Sequence, residues 1–216
     1  MKRTARAIVA SIILVCGLLT GCVSNDPFDS SMVINFASLY GVMELADSVN
    51  VNTAIKIFSN KHEASAAYRS KDKAEAESLY KNYLNKNNWY PAVTGLNAMT
   101  LIVAKDMINT VLYESTLSVM YFDEQSDAKA YFDAYAAALK DDREIKKGFK
   151  GDYEYAISFK PTASRTGNCD FKAGAYLKGN SVLLCSGISP IGGPDSFSDV
   201  IYDKIGLLDP ITLKKK

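Results

Sequence analysis

The sequence predicts an α+β fold: an N-terminal helical half over residues 30–110, followed by a small, mainly antiparallel sheet with a covering helix. Three observations carry this expectation. From residue 30 to about 110 the pattern is mostly helical, with apolar residues recurring at three- and four-residue spacing. Beyond residue 110, runs alternate and are rich in β-branched and aromatic residues, as half-buried strands are. The second half then reads strand, helix, strand, hairpin, an order that closes most simply as an antiparallel sheet covered by helices.

Taken in order, SMVINFASLYGVMELA places Val33, Phe36, Tyr40 and Met43 on one side of a helix, with Asp29 or Ser30 as its N-cap. A second helix is expected from Thr53 through Ile57 and Phe58 to about Tyr68. A third lies in KDKAEAESLYKNYLNK, where Ala76, Leu79, Tyr80 and Tyr83 form the apolar stripe, and NNWYP stops it. The run VTGLNAMTLIVAKDMIN fits a buried helix or a strand by periodicity, and is read as helix. TVLYESTLSVMYF alternates as a strand ending near Phe122. Asp123 then caps a helix in EQSDAKAYFDAYAAALKDD, with Ala128, Tyr131, Phe132 and Tyr135 facing the core. YEYAISF, FKAGAYLK and SVLLCSG follow as strands, the last two joined by a two-residue turn at Gly179-Asn180.

The start of the chain is of another kind. MKRTAR puts Lys2, Arg3 and Arg6 ahead of the apolar run AIVASIILVCGLL, which ends in small residues, the three regions of a secretory signal. The run is shorter than the ~20 apolar residues a bilayer-spanning helix needs. Leu19, Thr20, Gly21 and Cys22 together resemble the lipobox of bacterial lipoproteins. That resemblance implies that residues 1–21 are removed as a signal peptide and that Cys22 carries a diacylglyceryl group. Residues 22–31 would then be the lipidated cysteine and a short tether, and residues 32–216 a single globular domain. Two or more acyl chains hold a protein stably to a bilayer, so the expected partner of the N-terminus is a membrane. In lipoproteins of enterobacterial type an aspartate directly after the cysteine favours inner-membrane retention. Val23 stands there, which implies the outer membrane in a cell with two membranes and the outward face of the plasma membrane in a cell with one.

Composition narrows the class further. Without its signal the chain keeps about 195 residues, enough for one sizeable core. Its balance becomes slightly acidic, which argues against a nucleic-acid binder. The terminal Lys214–Lys216 is the one basic run of note. Of four cysteines, Cys16 leaves with the signal and Cys22 is lipidated, so Cys169 and Cys185 remain. An even pair in an oxidising compartment suggests a disulfide, closing a loop of about 16 residues and contributing ~3 kcal/mol in the chain-entropy model. Against it, the Gly179-Asn180 turn sets Gly174 opposite Cys185, and alternation points the two cysteines to opposite faces unless a bulge resets the count.

Catalytic constellations are sparse. The single histidine, His62, is followed by Glu63 but lacks a second histidine four residues on, so it does not make a zinc-protease helix. No serine stands in a Gly-x-Ser-x-Gly turn. Asp123, Gln125 and Asp127 have the alternate spacing of a calcium loop without its glycine or its closing glutamate, and fit a helix start better. No phosphate-cradling or dinucleotide motif is present. Asp141-Asp142 and Asp123-Glu124 are adjacent carboxylates at expected helix ends. No catalytic residue, metal or cofactor is therefore assigned. Candidate binding residues are Trp89 and Tyr90, beside Pro91 in an asparagine-rich turn, where an exposed ring stacks on a sugar or a partner's side chain. CSGISPIGGPDSFSD is expected to be a loop whose amides could line a ligand site. The expectation is a membrane-anchored, non-enzymatic module that binds a ligand, a glycan or another envelope protein. Its rivals are an envelope hydrolase working through carboxylates, and a structural accessory of a membrane complex.

Overall fold

The computed structural model describes residues 26–45, 64–108, 111–139, 144–164, 167–191 and 196–214. These build one eight-stranded sheet with short helices on both faces. In chain order the elements are α1 (Ser30–Leu39), β1 (Met43–Leu45), β2 (Ala64–Arg69), α2 (Lys73–Leu79), β3 (Leu96–Ile108), β4 (Val111–Phe122), α3 (Gln125–Ala138), β5 (Glu144–Lys150), β6 (Tyr153–Ser164), β7 (Gly167–Lys178), β8 (Ser181–Pro190) and α4 (Phe197–Lys204), with a short 3-10 turn at Pro210–Leu213. The strands lie side by side as β1-β2-β3-β4-β8-β7-β6-β5. β1 runs parallel to β2, and every other neighbouring pair is antiparallel.

The class is therefore largely sheet, and the expected helical half is not there. Residues 64–69, the end of the expected second helix, form β2, and 96–108, read as helix, form β3. The rest of that second helix and His62 lie outside the described residues. The reason for the misreading is physical. With helices on both faces, an inner strand is buried on both sides and loses the apolar–polar alternation that marks a strand. Ser65, Ala66, Ala67 and Tyr68 are all buried, as are Leu101 and Ile102 next to each other in β3.

Two cores result. On the front face α2 and α3 cover Ala66, Tyr68, Met99, Leu101, Met120, Ala175, Val182 and Leu184. On the back face α1, α4 and the segment to Leu213 cover Ala67, Ile102, Leu117, Ile157, Leu183 and Cys185. α1 is capped by Asp29, whose carboxylate accepts from Ser31 N–H at 2.8 Å, and buries Val33, Ile34 and Ala37. α3 buries Ala128, Tyr131, Phe132, Tyr135 and Ala136, and carries the chain across the front face to the far edge at β5. The turn between β7 and β8 is Gly179-Asn180, with Gly179 in the left-handed region that a tight hairpin demands.

Candidate functional site

The Trp89 turn is built from the end of α2. There the helix widens into a single π turn over Tyr80–Leu84, and Asn85 N–H closes it on Tyr80 O at 2.7 Å. Such one-turn widenings concentrate at functional sites. The Asn85 side chain then clamps the returning chain: its Oδ1 accepts from Tyr90 N–H at 2.8 Å and its Nδ2 donates to Tyr90 O at 3.1 Å. Tyr80 Oη donates to Pro91 O and lies 3.1 Å from Tyr131 Oη. The Tyr90 ring stacks on Tyr135 with centroids 5.7 Å apart. Between these braces Lys86, Asn87, Asn88 and Trp89 stand in solvent, with Asn88 in the left-handed conformation that asparagine tolerates.

Trp89 is 78% exposed. Tyr90, the other candidate, is folded back as part of the brace. Burial pushes the Tyr80 phenol up to about 12, and burial together with Tyr80 pushes Tyr131 well above its ordinary value. Both hydroxyls thus stay protonated as fixed donors and acceptors. What the turn presents is a flat, exposed indole on a braced loop, next in sequence to the exposed Lys86, Asn87 and Asn88. That combination stacks on flat or ring-shaped partners and donates hydrogen bonds at the rim.

A second cluster lies on the back face. Lys172 of β7 is 2% exposed, and its ammonium donates to Asp199 of α4 and, at 3.4 Å, to Asp209. Asp199 Oδ2 also accepts from Ser196 N–H at 3.0 Å and Ser196 Oγ–H at 2.9 Å, closing the first turn of α4. Burial pushes the Asp199 carboxyl up, but the Lys172 and Ser196 donors outweigh it and hold the group below its ordinary value. At Asp209 burial prevails over the Ile211 N–H and Lys172, so that carboxyl sits above its ordinary value. Shared by two carboxylates, Lys172 ties β7 to α4 and to the C-terminal turn.

Other charged residues sew the same segment to the sheet. Asp106 of β3 accepts from Phe197 N–H at 2.9 Å, and Lys214 reaches Asp170 of β7 at 2.9 Å. Tyr176 Oη donates to Leu208 O at 2.7 Å and Tyr202 Oη to Cys185 O at 3.1 Å. Lys172 and Asp106 went unnoticed in the sequence because their partners come from α4 and the C-terminal turn, far along the chain. The available signal was the charge itself, since a charge in a buried strand needs a partner from elsewhere.

The remaining candidates are dispersed. Cys169 and Cys185 are both buried and are not joined in a disulfide. Gly174 pairs with Cys185 and Pro190 with Cys169, the register set by the Gly179-Asn180 turn, so the two cysteines do not stand opposite each other. Cys169 packs against Tyr113, whereas Cys185 lies in the back-face core, where burial pushes its thiol up to about 12. The stretch expected as a loop after SVLLCSG continues as strand to Pro190, and its far end is the start of α4. Asp123 is paired with Lys73 at 2.6 Å and Glu124 is the N-cap of α3, so that carboxylate pair belongs to a helix start. Asp141-Asp142 and Cys22 lie outside the described residues. Among the described residues no group of three or more His, Cys, Asp or Glu is placed to hold a metal ion, and no helix is long and apolar enough to cross a membrane.

Comparison with known proteins adds little. No family model matches the chain, and no curated protein matches it. Among solved structures, the extracellular domain of PknH from Mycobacterium tuberculosis is similar over 84% of this chain and 96% of its own, with 14% identity and a TM-score of 0.38. Two chains with that score and identity need not share a fold.

Proposed function

We propose that this chain is a lipid-anchored envelope protein whose sheet domain is a non-enzymatic binding module, with Trp89 as the contact residue and an envelope glycan as its ligand. The anchor rests on the signal and on Leu19 to Cys22. The binding role rests on one observation: Trp89 stands 78% exposed on a turn that Asn85, Tyr80 and Tyr135 hold in place. A large aromatic side chain left in water on a braced loop gains apolar contact on binding with little loop ordering to offset it. Sugar rings offer the apolar faces that stack on an indole, and the amides of Asn87 and Asn88 suit their hydroxyls. In this reading the domain faces outward, on the outer membrane where the cell has two membranes.

The hydrolase reading is weaker on the same geometry. Asp199 and Asp209 are carboxylates that converge, but they converge on a buried lysine and not across a cleft. Co-sedimentation of the protein with purified cell-wall glycan tests the proposal. Wild type is expected in the pellet and Trp89→Ala in the supernatant, while both melt alike. Equal pelleting of the two would overturn it.

A further inference from the structure

The tether of the anchored protein leaves the fold beside an exposed, basic sheet edge. Phe28 is fixed to the sheet: its N–H donates to Ser181 Oγ at 2.8 Å, and its carbonyl accepts from Tyr121 Oη at 2.6 Å. Its ring lies 6.2 Å from that of Tyr153. Tyr153 opens β6 and pairs directly with Lys150, the last residue of β5. The tip of the β5–β6 hairpin is therefore next to the point where the chain departs for Cys22.

Cys22 and Phe28 are separated by five residues, which reach at most about 20 Å when extended and span about 13 Å as flexible chain. An anchor at Cys22 thus keeps this hairpin within a short reach of the bilayer. What it presents there is unusual for a bare edge. Among the described residues β5 pairs with β6 alone, at the edge of the sheet, and its exposed side chains alternate, Phe149 (60% exposed) and Lys147 on one face and Lys146 and Lys150 on the other. The acidic residue of the turn, Asp152, is taken up by Lys178 at 2.7 Å, and Glu154 by Lys129 at 3.4 Å. Lys150 makes one long contact of its own, to Gly206 O at 3.4 Å. Glu144 at the far end of β5 offsets part of this charge, so the strand keeps a positive balance beside an exposed aromatic ring.

We propose that the β5–β6 hairpin lies on the membrane that holds the anchor, with Phe149 at the headgroup level and Lys146, Lys147 and Lys150 on anionic lipid. Lysines near an anionic leaflet and an aromatic ring at the interface are both favoured there. The contact orients the domain, and it also covers a strand edge that would otherwise invite pairing. The inference rests on the lipid-anchor reading.

The test uses the lipidated protein reconstituted in two kinds of vesicle, phosphatidylcholine alone and an equal mixture with phosphatidylglycerol. Flotation reads the anchor, and hydrogen exchange of residues 144–153 reads the hairpin. Flotation is expected with both vesicles, and exchange at β5 is expected about fivefold or more slower on the anionic ones, a difference erased by 1 M salt that screens the lysines. The combined substitution Lys146→Gln, Lys147→Gln, Lys150→Gln should float as wild type and lose the slowing, and Phe149→Ser should weaken it. Equal exchange on the two vesicles overturns the hairpin contact while leaving the anchor standing. Protection of β5 already present in detergent overturns it in favour of a second copy or another strand on that edge. Failure to float with phosphatidylcholine overturns the anchor reading itself.

Discussion

Lys172→Met removes the ammonium that ties Asp199 and Asp209 to β7 and leaves two carboxylates without their shared partner. Deleting one partner of a buried ion pair costs about 3–5 kcal/mol. Both carboxylate side chains keep 24% exposure, so water reaches them and the lower end, about 3 kcal/mol, is expected. For a domain of this size that corresponds to a fall of roughly 6–12 °C in Tm, read by circular dichroism. Acidity separates lost charge pairing from lost packing. In wild type the Asp199 carboxyl sits below its ordinary value of 3.8, so its contribution is present above that value and is lost as pH falls through the folded one. In the variant burial remains without the lysine, the folded carboxyls rise above the unfolded value, and their penalty disappears on acidification. The gap between wild type and variant should therefore be widest near neutrality and shrink as pH falls toward 3.8. A gap under about 1 kcal/mol at pH 7, or one that does not change with pH, would refute the tie.

Gly187→Ala would place a Cβ 2.7 Å from Ser115 Oγ and 2.8 Å from Ser198 Cβ, lifting the start of α4 off the sheet. A loss of about 1–3 kcal/mol is expected in denaturant unfolding, and an unchanged midpoint would show that α4 is not seated there. Cys169 and Cys185 should resist a thiol reagent in the native protein and react together only on unfolding, since both are buried and the Cys185 thiol is pushed up to about 12. Fast labelling of either in native protein would contradict the packing. Cys22→Ala should leave an uncleaved precursor or release the protein from membranes, as fractionation and intact mass would show. Unchanged processing would remove the anchor.

Caps, the α3 stripe, the hairpin turn and strands β4, β6, β7 and β8 were legible in the sequence, whereas β2, β3 and β5 were not. Asp29 as a cap, the stripe Ala128, Tyr131, Phe132, Tyr135 and the Gly179-Asn180 turn all follow from short-range rules, because caps, amphipathic faces and hairpin turns are fixed by residues within a few positions. β2 and β3 were hidden because strands buried on both faces carry no period. β5 was missed because EIKKGFK, an edge strand, is charged where a strand usually is not. The same locality explains the candidate site. Trp89 beside Asn-Asn and Pro91 marks a turn in one dimension, whereas its braces, Tyr131 and Tyr135, come from α3. Lys172, Asp199 and Asp209 meet only once β7, α4 and the C-terminal turn are assembled. The Cys169–Cys185 pairing stayed open in the sequence, where an even cysteine count and the hairpin register point opposite ways.

Trp89 is the sole tryptophan of the chain, so its intrinsic emission reports on the proposed contact without a label. Titration with solubilised cell-wall glycan fragments is the most direct measurement. A saturable blue shift, as the exposed indole leaves water, with matching loss of quenching by acrylamide, is the result expected. Emission and quenching that stay those of a solvent-exposed indole at saturating glycan would contradict the assignment of Trp89 as a binding residue.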